Sequence, residues 1–211
     1  SSELFSFNRL IVFIFLSIIV GQLKSSWMTS SQMIIEIRQG LINKYLIRPI
    51  SYFWYNFMMF IGVNSLYYIT YSFMLGLFIL IFPGLLFTTI ISFLGFMLAL
   101  ILSIYLSYCI YFIMICFAFW FGEVRSLVIS YNLAMLVLSG QYIPIRLFPD
   151  WAIQILNWTP IRYLVDFPVS IATGLLPREE WLSGFLFSLL WCFILNLICV
   201  AIYKRGIKNY E

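Results

Sequence analysis

Long hydrocarbon runs alternate with a few polar breaks, and the runs predict the helices. Residues 10–23, LIVFIFLSIIVGQL, carry no charge. With their flanks they predict a span over 4–28, since a transmembrane helix needs about 20 predominantly apolar residues. Residues 49–122 contain no Asp, Glu, Lys or Arg at all. Pro83-Gly84, a strong turn signal, divides that run into spans over 52–82 and 85–121. The second is long enough to project beyond a bilayer at about 1.5 Å per residue. Residues 126–145 are again uncharged and predict a span over 126–141. The last span covers 181–203. Pro177, Glu179 and Glu180 suit its start, and Lys204-Arg205 mark its end. A membrane β-barrel would alternate polar and apolar residues instead.

Two polar breaks stand out. Residues 32–51, QMIIEIRQGLINKYLIRPIS, predict an amphipathic helix over 32–49. Ile34, Ile37, Leu41 and Tyr45 form its apolar stripe, with Glu36, Gln39, Asn43 and Lys44 around the rest. Arg48 is favourable at a helix C-terminus and Pro49 follows as a stop. The second break, 142–180, holds Pro144, Pro149, Pro160, Pro168 and Pro177 with charges of both signs. It reads as an exposed or re-entrant region of short helices, WAIQILNW at 151–158 being one. Residues 204–211 form a tail.

Composition agrees with this division. The 211 residues are 64% hydrophobic and only 9% charged, with 22 Phe, 14 Tyr and 7 Trp, and a mean hydropathy of +1.02. A soluble domain is typically about 25% charged. The fold class is therefore an all-α polytopic membrane protein. The net charge of +4 is a topology signal rather than a sign of nucleic-acid binding. With 32–49 placed inside, Lys24, Arg38, Lys44, Arg48, Arg125, Lys204, Arg205 and Lys208 are cytoplasmic. Only Arg9, Arg146, Arg162 and Arg178 are then outside, matched by Asp150, Asp166, Glu179 and Glu180. Arg9 and Lys24 are expected to snorkel to opposite interfaces. Five spans with the C-terminus inside leave Ser1 outside, so a sixth span is expected upstream.

Much chemistry is missing. There is no histidine, no G-x-x-x-x-G-K-[ST] phosphate loop, and no ionisable residue within the long spans of the kind that carries a coupling ion. The four lysines, 24, 44, 204 and 208, fall at expected membrane ends or outside the membrane, so none serves as base for a serine nucleophile. Cys109, Cys116, Cys192 and Cys199 lie in apolar runs, spaced seven apart in each pair, and read as small packing residues. Asn64, Tyr67, Tyr71 and Asn132, like Ser103, Ser107, Tyr68 and Asn196, have two readings: hydrogen bonding between helices, or the lining of a substrate path.

The polar segments also carry a resemblance. Glu36, Arg38, Gly40 and Leu41, followed by Leu46, Arg48 and Pro49, resemble the signature of type-2 ABC exporter permeases, in the branch of viologen- and drug-exporter-like permeases. A second match runs through Leu138-Ser139-Gly140, Ile143-Pro144, Phe148-Pro149-Asp150-Trp151, Pro160, Tyr163, Phe167-Pro168 and Gly174. The resemblance implies six spans with both termini inside. It makes 32–49 a cytoplasmic coupling helix seated on a separate ATPase subunit through Glu36, Arg38, Gly40, Leu41, Leu46, Arg48 and Pro49. It makes 142–180 an extracellular gate of re-entrant helices through Gly140, Pro144, Pro149, Trp151, Pro160 and Pro168. Trp151, Trp158 and Phe167 would anchor that region at the interface or contact cargo. The implied assembly sits in the bacterial plasma membrane. It pairs two permeases, identical or related, with two ATPase subunits that bind ATP and Mg; this chain itself holds no cofactor and is no enzyme.

The expected function is outward transport of a hydrophobic or amphipathic substrate. A non-transporting membrane sensor or scaffold subunit of an ATPase complex is the alternative. A channel is disfavoured because no repeated polar residues form a selectivity ring.

Overall fold

The computed structural model describes residues 7–25, 27–42, 45, 51–81, 84, 86–121 and 124–208, and the regular elements among them are all helical. Eight α-helices follow in order: α1 Phe7–Leu23, α2 Trp27–Arg38, α3 Tyr52–Ile81, α4 Ile90–Cys116, α5 Arg125–Leu138, α6 Asp150–Trp158, α7 Asp166–Ala172 and α8 Glu179–Lys208. A 3-10 turn, Phe117–Phe119, prolongs α4. With that turn included, α3, α4 and α8 each run 30 residues, about 45 Å against a hydrocarbon thickness of about 30 Å. These three are long and apolar enough to cross a membrane; the apolar stretches Leu10–Leu23 and Arg125–Leu138 are shorter.

Local chemistry sets the ends. The third expected helix starts at Ile90 rather than 85, because Thr89 is extended (φ −148, ψ 159) and its hydroxyl accepts the Ser92 N–H at 3.3 Å, a helix cap. Before it, the Phe87 N–H donates to the Ala172 carbonyl at 2.9 Å, so this stretch docks onto α7 instead of winding. Glu179 and Glu180 occupy the first turn of α8, and Arg205 and Lys208 the last, as the helix dipole favours.

The amphipathic segment differs from the single helix expected over 32–49. Its helix, α2, begins earlier and ends at Arg38. Gly40 takes a left-handed φ of +76. Leu41 N–H reaches back to the Glu36 carbonyl at 3.0 Å and Gly40 N–H to Ile37 at 3.3 Å, the glycine-terminated helix end that satisfies the last carbonyls. The local turn overrides an apolar stripe that continues past it. Leu46, Arg48 and Pro49 lie outside the described residues.

α4 is the hub. It packs against α8 and α7, with further contacts to α2, α5 and the 3-10 turn at Arg162–Leu164, while α1 packs on α3 and α7. The buried edge of α8 is Gly184, Ser188, Cys192, Leu195, Cys199 and Gly206, mostly small residues that let helices approach closely. Phe167 of α7 sits where a side chain on Gly184 would be, and Phe119 does the same at Gly206. All four cysteines are buried; Cys199 Sγ donates to the Cys109 carbonyl at 3.4 Å. Asn196 donates to the Tyr105 hydroxyl at 2.5 Å. Near the other end of this helix pair, Arg178 donates to the Thr89 hydroxyl at 2.8 Å.

Candidate functional site

Two regions contain the residues singled out by sequence. The first is the end of α2. Ile34 and Ile37 are buried as the stripe requires, with Met33 beside them, but Leu41 is 47% exposed: the turn at Gly40 rotates it off the stripe. Glu36, expected on the polar face, is only 6% exposed. Its carboxylate accepts from the Tyr45 hydroxyl at 3.5 Å, the outer limit for such a bond. Arg38 and Gln39 are exposed. Among the described residues at this end, Arg38, Gln39 and Leu41 are exposed, as is Ile35 one turn earlier, and Glu36 is buried beneath them.

Behind Glu36 stands a chain of rings. Tyr45 meets Tyr52 with centroids 5.0 Å apart, Tyr52 stacks on Tyr203 at 5.5 Å, and Tyr203 lies 5.9 Å from Phe112 and 6.3 Å from Phe119. These spacings are those of interacting aromatic pairs. They join the α2 end to the first turn of α3, the last turns of α4 and the last turns of α8 in one packed cluster. Nothing in the residue spacing linked Tyr203 to Tyr45; only the fold does.

The second region is 141–178, which folds back into the bundle. Ser17 Oγ of α1 donates to the Gln141 carbonyl at 2.5 Å, and Ser103 Oγ of α4 donates to the Leu164 carbonyl at 2.5 Å. Ser103 lies about 20 Å along α4 from its start, so the segment penetrates well into the helix bundle. Its hub is Asp166, 1% exposed. Asp166 accepts the Ile145 N–H at 3.4 Å and faces Arg162 Nε at 3.5 Å, while its own N–H donates to the Ser139 carbonyl at 3.2 Å. Burial raises its carboxyl above the ordinary 3.8, against the opposing pull of Arg162, the Ile145 N–H and Arg146. The sequence showed Asp166 only as an outer counter-charge; its i, i+4 spacing from Arg162 was the available sign of the pair.

The residues expected to form a gate separate into two groups. Gly140 (φ +82), Pro144 and Pro168 are buried around Asp166. Pro149 and Trp151 lie at the surface, and Pro160 is half-buried. Trp151, Ile155 and Trp158 form an exposed apolar stripe along α6, at 68%, 58% and 70% exposure, as expected of a helix in a membrane interface. Phe167, in contrast, is buried against Gly184. A cavity of about 250 Å³ opens between α6, α7 and α8, lined by Trp158, Arg162, Glu180 and Phe187 among others.

Of the four residues expected along a substrate path, three lie along α3 and one on α5. Asn64 is buried and donates to the Phe60 carbonyl within α3 at 2.9 Å; Tyr67 of the same helix is exposed and Tyr71 half-buried. Asn132 of α5 is bonded to Tyr111 of α4 and donates to Val128 at 2.9 Å. Ser103, Ser107, Asn132 and Asn196 all make bonds between elements, the structural reading of such groups. Among the described residues no three of His, Cys, Asp and Glu come together to hold a metal ion.

A family model described as ABC-2 family transporter protein matches residues 3–211. No curated protein and no solved structure gives a significant match. The chain belongs to the ABC-2 transporter family, and is a membrane permease subunit of an ABC transporter. Permeases of this family are generally not ATPases themselves, and membership implies an ATPase partner.

Proposed function

We propose that this permease exports a hydrophobic or amphipathic substrate across the bacterial plasma membrane, powered by two copies of the partner ATPase. In this reading two permeases, identical or related, enclose the path. ATP and Mg are bound on the partner, and ATP binding draws the two ATPase subunits together. Each subunit seats the end of α2, on the cytoplasmic side, through Arg38, Gly40 and Leu41. The sequel of that segment at Leu46, Arg48 and Pro49 completes the contact, and Glu36 supports it from beneath. The 142–180 region closes the outer side of the path.

The observation that carries the reading is the combination at α2: an exposed cationic and apolar edge rooted in a ring cluster shared by α3, α4 and α8. A push on that edge reaches three membrane helices through packed, nearly incompressible side chains. The test is to co-purify the permease with its ATPase and measure ATP hydrolysis and export in proteoliposomes. Arg38→Ala with Leu41→Ala should leave a folded permease whose ATPase no longer responds to cargo. Normal export by that variant would sink the assignment. ATPase association without any cargo movement would favour a sensor or scaffold subunit instead.

A further inference from the structure

We propose that a polar cavity between α1, α4 and α5 is a binding site for the anionic head, a phosphate or carboxylate, of an amphiphile, with Lys24 and Gln141 as its recognition groups. The cavity has a volume of about 240 Å³, and its walls include Gly21, Lys24, Tyr111, Asn132 and Gln141.

Lys24 was expected to snorkel to a membrane surface. It is instead 6% exposed, as is Gln141. Among the described residues neither the Lys24 ammonium nor the Gln141 side-chain amide has a hydrogen-bond or ion-pair partner. The side chains are largely buried, yet their polar ends are not sealed in protein: both line the cavity, where their donors are open to a ligand. Both are held in place by their backbones. The Lys24 carbonyl accepts from Ser107 Oγ at 2.9 Å, and the Gln141 carbonyl accepts from Ser17 Oγ at 2.5 Å. Gly21 makes room for the amide, because a Cβ there would stand 2.5 Å from the Gln141 side chain.

The chemistry of the ligand follows. A lysine ammonium only donates, and a glutamine amide adds two donors and an acceptor, so together they match an anionic oxygen group. Tyr111 and Asn132 are already bonded to one another, and Asn132 also to Val128; Gln22 and Ser25 line the cavity from more exposed positions, so Lys24 and Gln141 are its buried recognition groups. Size limits the occupant to a head group, because sites for whole drug-sized molecules run to about 300–1,000 Å³. Depth makes it the head of an amphiphile. Ser107, which fixes Lys24, lies about 13 Å short of the end of α4, well within a helix long enough to span. An ionisable group at such a level normally marks a functional site. The site is independent of whether the chain exports cargo.

The test uses the purified full-length permease in nanodiscs, with dodecyl phosphate as probe and dodecyltrimethylammonium as the oppositely charged control. Wild type should bind dodecyl phosphate in preference to the cation. Lys24→Met, isosteric but uncharged, should weaken binding about tenfold or more; Lys24→Arg should keep most of it, and Gln141→Leu should weaken it several-fold. Equal affinity in the Lys24→Met protein, or equal binding of the cation, overturns the proposal. Should Lys24→Met fail to fold, unchanged affinity in Gln141→Leu overturns it equally. Native mass spectrometry separates the two sources. A phospholipid retained by wild type and lost from Lys24→Met identifies the bilayer as the supplier. If no lipid is retained and dodecyl phosphate still binds, the head belongs to a free amphiphile.

Discussion

Ser103 donates its hydroxyl to the Leu164 carbonyl at 2.5 Å, both residues fully buried. One small side chain in the middle of α4 thus satisfies a carbonyl of the inserted segment that no helix serves. Ser103→Ala should cost about 1–3 kcal/mol, the penalty of leaving that carbonyl buried and unbonded. Thermal unfolding of the purified permease should drop by several degrees, while Ser103→Thr, if it fits, keeps the bond.

Gly184 admits the ring of Phe167. Gly184→Ala should destabilise the protein by about 1–3 kcal/mol through overpacking. Phe167→Leu introduced alongside should recover part of the loss. A double-mutant cycle measures the coupling; simple additivity of the two changes would contradict the contact.

Gly40 holds its left-handed turn with no Cβ to oppose it. Gly40→Ala should cost about 1 kcal/mol and weaken the link between α2 and Tyr45. Hydrogen exchange at the Leu41 amide, which bonds to the Glu36 carbonyl, should speed up selectively.

Arg38 and Glu36 stand two residues apart with opposite burial. Arg38→Ala should lower the stability of the permease less than Glu36→Ala does, since Arg38 is exposed and Glu36 buried, yet reduce cargo-stimulated hydrolysis by the partner. Glu36→Ala should reduce both. Equal stability losses for the two would mean that α2 presents a different face.

Asp166 gives a pH dependence with a definite sign. Burial raises its carboxyl above 3.8, so the folded protein holds the proton more tightly than the unfolded chain. Its stabilising contribution is complete below the ordinary carboxylate value and is lost as pH rises toward the folded one. Asp166→Asn keeps an acceptor for the Ile145 N–H and removes the titration. Melting curves from pH 4 to pH 8 should show wild type losing stability relative to Asp166→Asn as pH rises. A relative gain would reverse the assignment.

The sequence showed the three long helices because residues 49–122 and 181–203 leave little alternative to membrane burial. What it hid were the places where a local rule met a tertiary one. The stripe through Ile37, Leu41 and Tyr45 reads as one helix, yet Gly40 can stop it, and periodicity carries no record of φ. Lys24 follows an apolar run and so reads as a surface anchor; that the inserted segment would bring Gln141 over it depends on contacts 124 residues apart, such as Ser17 with Gln141. The candidate gate was legible as a stretch rich in proline, but its centre, Asp166, is defined by what surrounds it. The ring cluster required four separate elements to converge.

The fastening of α4 to α8 sets where movement can occur. Arg178 bonds to Thr89 near one end, Phe119 fills the space at Gly206 near the other, and small residues close the length between them. Such a pair behaves as a keel. A displacement entering at α2 meets both α3 and α4, on which α2 packs. Because the rings of Phe53, Phe57 and Phe60 on α3 pack against Tyr108 of the keel, α3 is tied to it, and α1, held by narrower contacts to α3 and α7, is the element left to give, carrying Lys24 past Gln141.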